Sequence, residues 1–279
     1  MKSSSYKFNY VITFLNMSLL LFTMCSQAQK SKTTLSAVIS GIEGYSSFDR
    51  SKYPLGVHNE SLAKKNADFA EKKLAILASL DKTALTETEL ISCELLRFQL
   101  QNEVDEYRYK MYLNPIQADQ GFHLNLNYRI TPILSYEDAK QYLKILNAIP
   151  GFVDEHIVLL KKGLREGVSQ PKIIFNGYES TYDTHIVKDF SQSSFYGPLQ
   201  QDSITVAAQN IIMDKVVPSF KKIKAFFETD YIPTTRKTIG VSETPNGLEF
   251  YQNRINYYTT TTEYTADDIH AIGLSEVAR

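Results

Sequence analysis

The chain has 279 residues, 30 of them basic and 31 acidic, for a formal net charge of −1; 43% are hydrophobic and 22% charged. Such a length can bury a sizeable core, and the composition excludes wholesale disorder. The near-zero charge excludes a general electrostatic attraction to nucleic acid or to an anionic membrane.

Lys2 and Lys7 precede an apolar run from Val11 to Met24, and no acidic residue occurs before Glu43. Ser26-Gln27-Ala28 then places small residues where a signal peptidase reads. This order predicts a signal peptide over 1–28, cut between Ala28 and Gln29, and an exported chain that is periplasmic or secreted and free of the membrane once cleaved. A helix over Val11–Met24 rises only about 21 Å against a hydrocarbon core of roughly 30 Å, which argues against a permanent anchor. A lipid anchor on Cys25 is the alternative, although Met24 is larger than the residue that lipoprotein signals place before the cysteine. Cleavage leaves Cys93 as the single cysteine, so no intramolecular disulfide forms. Cys93, Leu96, Leu100, Val104 and Tyr107 fall on one helical stripe, which predicts a buried, inert thiol rather than a nucleophile.

Residues 29–56, rich in Ser, Thr and Gly, read as an exposed lead-in with one short helix near Leu35–Ile39, and 57–279 as a helical domain. Neither Gly nor Pro occurs between Val57 and Asn114, and Thr86-Glu87-Thr88-Glu89 has capping-box spacing. Helices are therefore predicted over 61–80 and 87–113. Pro115–Pro132 reads as a loop with a short strand. Ser135 starts a further helix that Pro150-Gly151 should stop, and a separate helix follows from Phe152 to Arg165, ended by Gly163 and Gly167. Pro171–Phe190 reads as helical with Gly177 as a weak point. Ile204, Ala207, Ala208, Ile211 and Ile212 repeat at amphipathic spacing, and Pro218 should kink that helix or begin a new one. Residues 239–258 read as two β-prone segments about the turn Pro245-Asn246-Gly247. Thr265-Ala266-Asp267-Asp268 opens a last helix, on which Ile269, Ile272 and Val277 lie roughly on one face and are expected to be exposed.

Five histidines, His58, His123, His156, His185 and His270, are scattered along the chain. None has a second histidine at i+4, and no His-Glu-x-x-His, Gly-x-Ser-x-Gly, phosphate-cradling glycine loop or Cys-x-x-Cys occurs. No residue is therefore assigned a catalytic, cofactor-binding or metal-binding role. His58 with Glu60, and Glu155 with His156, read as solvated polar positions, since adjacent and i+2 residues diverge on a helix. Tyr251, Tyr257 and Tyr258, beside the run Thr259–Thr262, are candidates for lining a ligand cleft; most of the 18 tyrosines and 15 phenylalanines at helical spacing are expected in the core.

The order Pro245-Asn246-Gly247-Leu248-Glu249-Phe250-Tyr251, the threonine run, and then Ile269-His270-Ala271-Ile272-Gly273-Leu274-Ser275-Glu276-Val277-Ala278-Arg279 resembles the bacterial domain-of-unknown-function 885 proteins. The stretch Ser135–Gly167 is similar to them too. The resemblance implies a mainly α, zinc-metallopeptidase-like scaffold of the gluzincin type around a deep cleft, acting on peptide. It also implies that the metal-binding residues lie past Arg279, so this chain would be the N-terminal part, catalytically incomplete, with zinc expected in a full-length member. An exported helical ligand-binding module without catalysis is the alternative.

Overall fold

Stretches free of Gly and Pro become long helices in the computed structural model, which describes residues 29–117, 119–199 and 204–279. The expected signal segment, with Cys25 and Ala28, lies outside the described residues; Gln29 is exposed and helical. The fold is mainly α, and the β-pairing among the described residues is limited to two isolated bridges. No helix among them is long and apolar enough to cross a membrane.

The chain divides into two compact units, one holding 29–46 with 66–104 and the other 47–65 with 105–279. The first unit contains α1 (29–43), most of α2 (Glu60–Ala78) and most of α3 (Glu87–Arg108). Leu35 and Val38 of α1 are buried with Ala70, Leu77, Leu85, Cys93 and Leu100. The expected exposed lead-in is corrected over 29–43: a serine- and threonine-rich helix still buries a narrow apolar stripe when partners face it. Cys93 is 1% exposed, and burial raises its thiol pKa, as its stripe predicts. At the start of α3, Thr86 and Glu89 satisfy each other's amides in the predicted capping box.

The second unit is built around α4 (Tyr136–Arg165), whose side chains Tyr142, Leu146, Ile149, Val153 and Leu160 are buried in the larger core. Ser135 caps it as expected, accepting the Asp138 amide at 3.1 Å. The predicted break at Pro150-Gly151 is corrected, because α4 runs through Pro150 unbroken. An interior proline costs about 3 kcal/mol, but each of these buried side chains contributes about 1.5–3 kcal/mol, so packing on both sides of Pro150 outweighs the lost hydrogen bond. The helix ends where expected. Gly167 takes φ +74°, a left-handed conformation open to glycine, and Val168 donates back to the Gly163 carbonyl at 2.8 Å.

Between α4 and the next long helix the chain forms short turns, among them Lys172–Phe175 and α5 (Ser180–Asp183), in place of the longer helix expected over 171–190. A continuous helical rod then follows. α6 (Thr205–Ile211) passes into a π-helical turn (Ile212–Val216), α7 (Val217–Ala225), a second π-helical turn (Phe226–Tyr231) and α8 (Ile232–Thr234). Pro218 falls in the first turn of α7, so a new α-helical segment begins at it inside the rod, one of the two outcomes expected. The wide turn just before it, where Val217 donates to Ile212, takes up the misfit of the proline ring.

The β-prone reading of 239–258 is also corrected. The turn sits at Asn246, with φ +57°, but α9 (Gly247–Thr259) follows it. Phe250, Asn253, Arg254 and Tyr257 recur at helical spacing on its half-buried face, and Asn253 donates to Asp105 at 2.8 Å. α10 (Ala266–Ala278) opens with a complete Thr265–Asp268 capping box and buries no side chain; Ile269, Ile272 and Val277 are exposed.

Candidate functional site

α3 ends where Lys110 adopts a left-handed conformation, and the chain then crosses Asn114–Arg129 before α4 begins. This segment folds back on itself: Gln117 donates to the Gln120 carbonyl at 2.7 Å and Phe122 to the Pro115 carbonyl at 3.2 Å. It forms one wall of a pocket of about 330 Å³, with Leu55 and His58 on a second side and Phe152 and His156 of α4 on a third. The polar lining is Asn114, Gln117, Gln120, Asn125, the two histidines and an exposed Arg129; no acidic side chain among the described residues lines it.

The fold gathers three histidines that the sequence scatters. The rings of His58 and His156 lie 4.3 Å apart, and Phe122 stacks on His156 at 4.5 Å. His123 meets the other edge of Phe122 at 5.2 Å. Glu155 accepts the backbone N–H of His58 at 2.7 Å, joining the two pairs read from sequence as solvated. That reading is corrected for His156, which is 4% exposed, because its helical face turns into the core beside Val153 and Leu160.

Hydrogen bonds fix the protonation pattern. His156 donates its Nδ1 proton to the Phe152 carbonyl at 2.8 Å, which leaves Nε2 as a bare acceptor. Burial, with the neighbouring His58 ring as a smaller cause, lowers its pKa to about 3, so the ring is neutral across the physiological range. The Thr181 hydroxyl gives its proton to the Tyr178 carbonyl at 2.6 Å, so it must accept from His123 Nε2 at 2.9 Å. His123 Nδ1 is then also bare, and burial lowers this pKa to about 3 as well. Gly121 permits the close approach behind the pocket wall: a Cβ there would stand 3.0 Å from the Tyr178 hydroxyl and 3.3 Å from His123 Nδ1.

These residues do not fit a zinc ion. His58 and His156 pack ring against ring, with 4.3 Å between centroids. No set of three or more His, Cys, Asp or Glu converges on a metal position among the described residues. His156, held neutral down to about pH 3, is also a poor proton carrier near pH 7 and serves the pocket as a binding group. Of the tyrosines expected to line a cleft, Tyr251 and Tyr258 are exposed on α9 and Tyr257 is half-buried with Arg254 over its ring at 4.9 Å. α9 contributes Phe250, not these tyrosines, to a second pocket.

Asn114, Gln117, Gln120 and Asn125 were not singled out by sequence reasoning. The signal for them was length: a stretch of about twenty residues without regular periodicity between two helices is commonly a functional loop.

The fold and the pocket define a mainly helical, pocket-bearing protein. The sequence pattern of the family described as "Bacterial protein of unknown function (DUF885)" matches residues 37–279, and the chain belongs to that family. No curated protein and no solved structure matches the chain.

Proposed function

We propose that this chain is the N-terminal, substrate-binding portion of an exported zinc-metallopeptidase-like protein, carboxypeptidase- or dipeptidase-like, with the histidine pocket holding peptide. The observation that carries the proposal is the pocket's chemistry. Four side-chain carboxamides and the bare Nε2 of a neutral His156 offer donors and acceptors matched to peptide amides, and Leu55, Ile116, Leu126 and Phe152 offer apolar contact for side chains. The zinc and its ligands belong, in this reading, to residues outside the chain, and export follows from the sequence at 1–28. A ligand-binding module without catalysis is the second reading. It is favoured by the depressed pKa of His156, which lines the pocket.

Titrating the chain with unmodified tri- and tetrapeptides, followed by nuclear magnetic resonance, tests the pocket. Shifts should cluster on Gln120, Phe122 and Asn125, and Asn125→Ala with Gln120→Ala should weaken binding several-fold. Zinc content and peptidase turnover of the same preparation test the division of roles. One tightly bound zinc per chain, with turnover lost on His123→Ala or His185→Ala, would overturn it. A full-length product that binds peptide without hydrolysing it would favour the module.

A further inference from the structure

We infer that a second pocket, walled by Tyr109, Ser169, Arg236, Thr244 and Phe250, binds a carboxylate of single negative charge carried on a flat apolar body. The inference is independent of the peptide reading above. The pocket has a volume of about 270 Å³, and Arg236 is the only charged residue in its lining.

The donors of Arg236 can be assigned one by one. Its Nε–H donates to the Ser169 carbonyl at 3.0 Å, and Nη1 donates to the carbonyls of Thr238 at 2.6 Å and Gly240 at 2.8 Å. A guanidinium has five N–H groups, so the two on Nη2 remain, without a partner among the described residues. No carboxylate among those residues lies within ion-pair distance of it; Glu243 acts on it only from farther off. A half-buried guanidinium bonded only to neutral carbonyls keeps its full charge where water is partly excluded, and a counter-anion offsets that cost. Burial lowers its pKa in keeping with that position.

The site is also held in place. The Arg236 amide donates to the Ser169 hydroxyl oxygen at 3.2 Å, and its carbonyl accepts the Lys172 amide at 2.8 Å. Ser169 therefore retains its own hydroxyl proton for a ligand, whereas Thr244 spends its proton on the Val241 carbonyl. A single positive charge suits a carboxylate better than a phosphate dianion, and the Nη2 and Ser169 hydrogens stand beside it as donors. The tilted rings of Tyr109 and Phe250, 5.7 Å apart, with Val168, Val241 and Pro245, supply the apolar walls.

Benzoate, benzyl alcohol and inorganic phosphate, each titrated into the whole chain under nuclear magnetic resonance, test the assignment. Benzoate should saturate with shifts on Ser169, Val241 and Phe250, at least tenfold more tightly than either of the others. Arg236→Met should weaken benzoate at least tenfold. Because Arg236 also ties down Thr238–Gly240, Ser169→Ala and the pocket-filling Val241→Phe serve as variants that leave those ties intact; the first should weaken benzoate several-fold and the second abolish its binding. Equal affinity for benzoate and benzyl alcohol, phosphate binding as tight as benzoate, or wild-type benzoate affinity in Ser169→Ala and Val241→Phe would each overturn the proposal.

Discussion

At the scale of single residues, the buried histidines set how stability responds to pH. An imidazole titrates near 6.5 in an unfolded chain, while folding lowers the pKa of His123 and His156 to about 3 and that of His185 in the same direction. Below 6.5 the unfolded state therefore takes up protons that the folded state refuses. Stability is complete above about pH 6.5 and is lost as the pH falls toward 3, by about 1.4 kcal/mol per pH unit for each of His123 and His156. Urea midpoints measured between pH 7 and 4 should fall steeply, and His156→Gln should flatten the slope by about one histidine's share. An unchanged slope would mean that the ring is not held neutral. The burial of Cys93 could be read from its stripe, whereas that of His156 could not: it needs Phe122 and His58 around it as well as Phe152 of its own helix, and those two come from segments far from α4 in sequence.

At the scale of elements, two prolines show where a local rule yields and where it holds. Pro150 sits in α4 between buried Ile149 and Val153, and Pro218 sits just beyond a π-helical turn. Because Pro150 lacks the amide that would reach the Leu146 carbonyl, Pro150→Ala should stabilise the protein by about 1–3 kcal/mol, read from chemical denaturation. A loss of stability would show that the proline ring is needed for packing. The helix starts at Thr86, Ser135 and Thr265 were legible because a cap is a local event among four residues. The helix α9 was not, since tyrosines and isoleucine favour strands locally and only the burial of Phe250, Asn253 and Tyr257 selects the helical period.

At the scale of the molecule, each compact unit has its own core, with Leu77 in one and Phe227 in the other. Leu77→Ala should cost about 2–5 kcal/mol and Phe227→Ala about 3–5 kcal/mol. Because the two residues share no packing partner, the double variant should lose their sum to within about 0.5 kcal/mol. Calorimetry on the three variants checks this, and a marked departure would show that the cores communicate. The mainly α class was legible in the sequence, because amphipathic periodicity and caps are written locally. Neither pocket was, because their walls join residues more than a hundred positions apart. The two pockets also have Asn114, Ile116 and Gln117 in common, so that one short run of backbone is the partition between them. A partition that shifts for one occupant changes the room left for the other, and thermodynamics makes such an influence reciprocal. Whatever factor benzoate in the Arg236 pocket imposes on peptide affinity beside His156, peptide must impose on benzoate in equal measure.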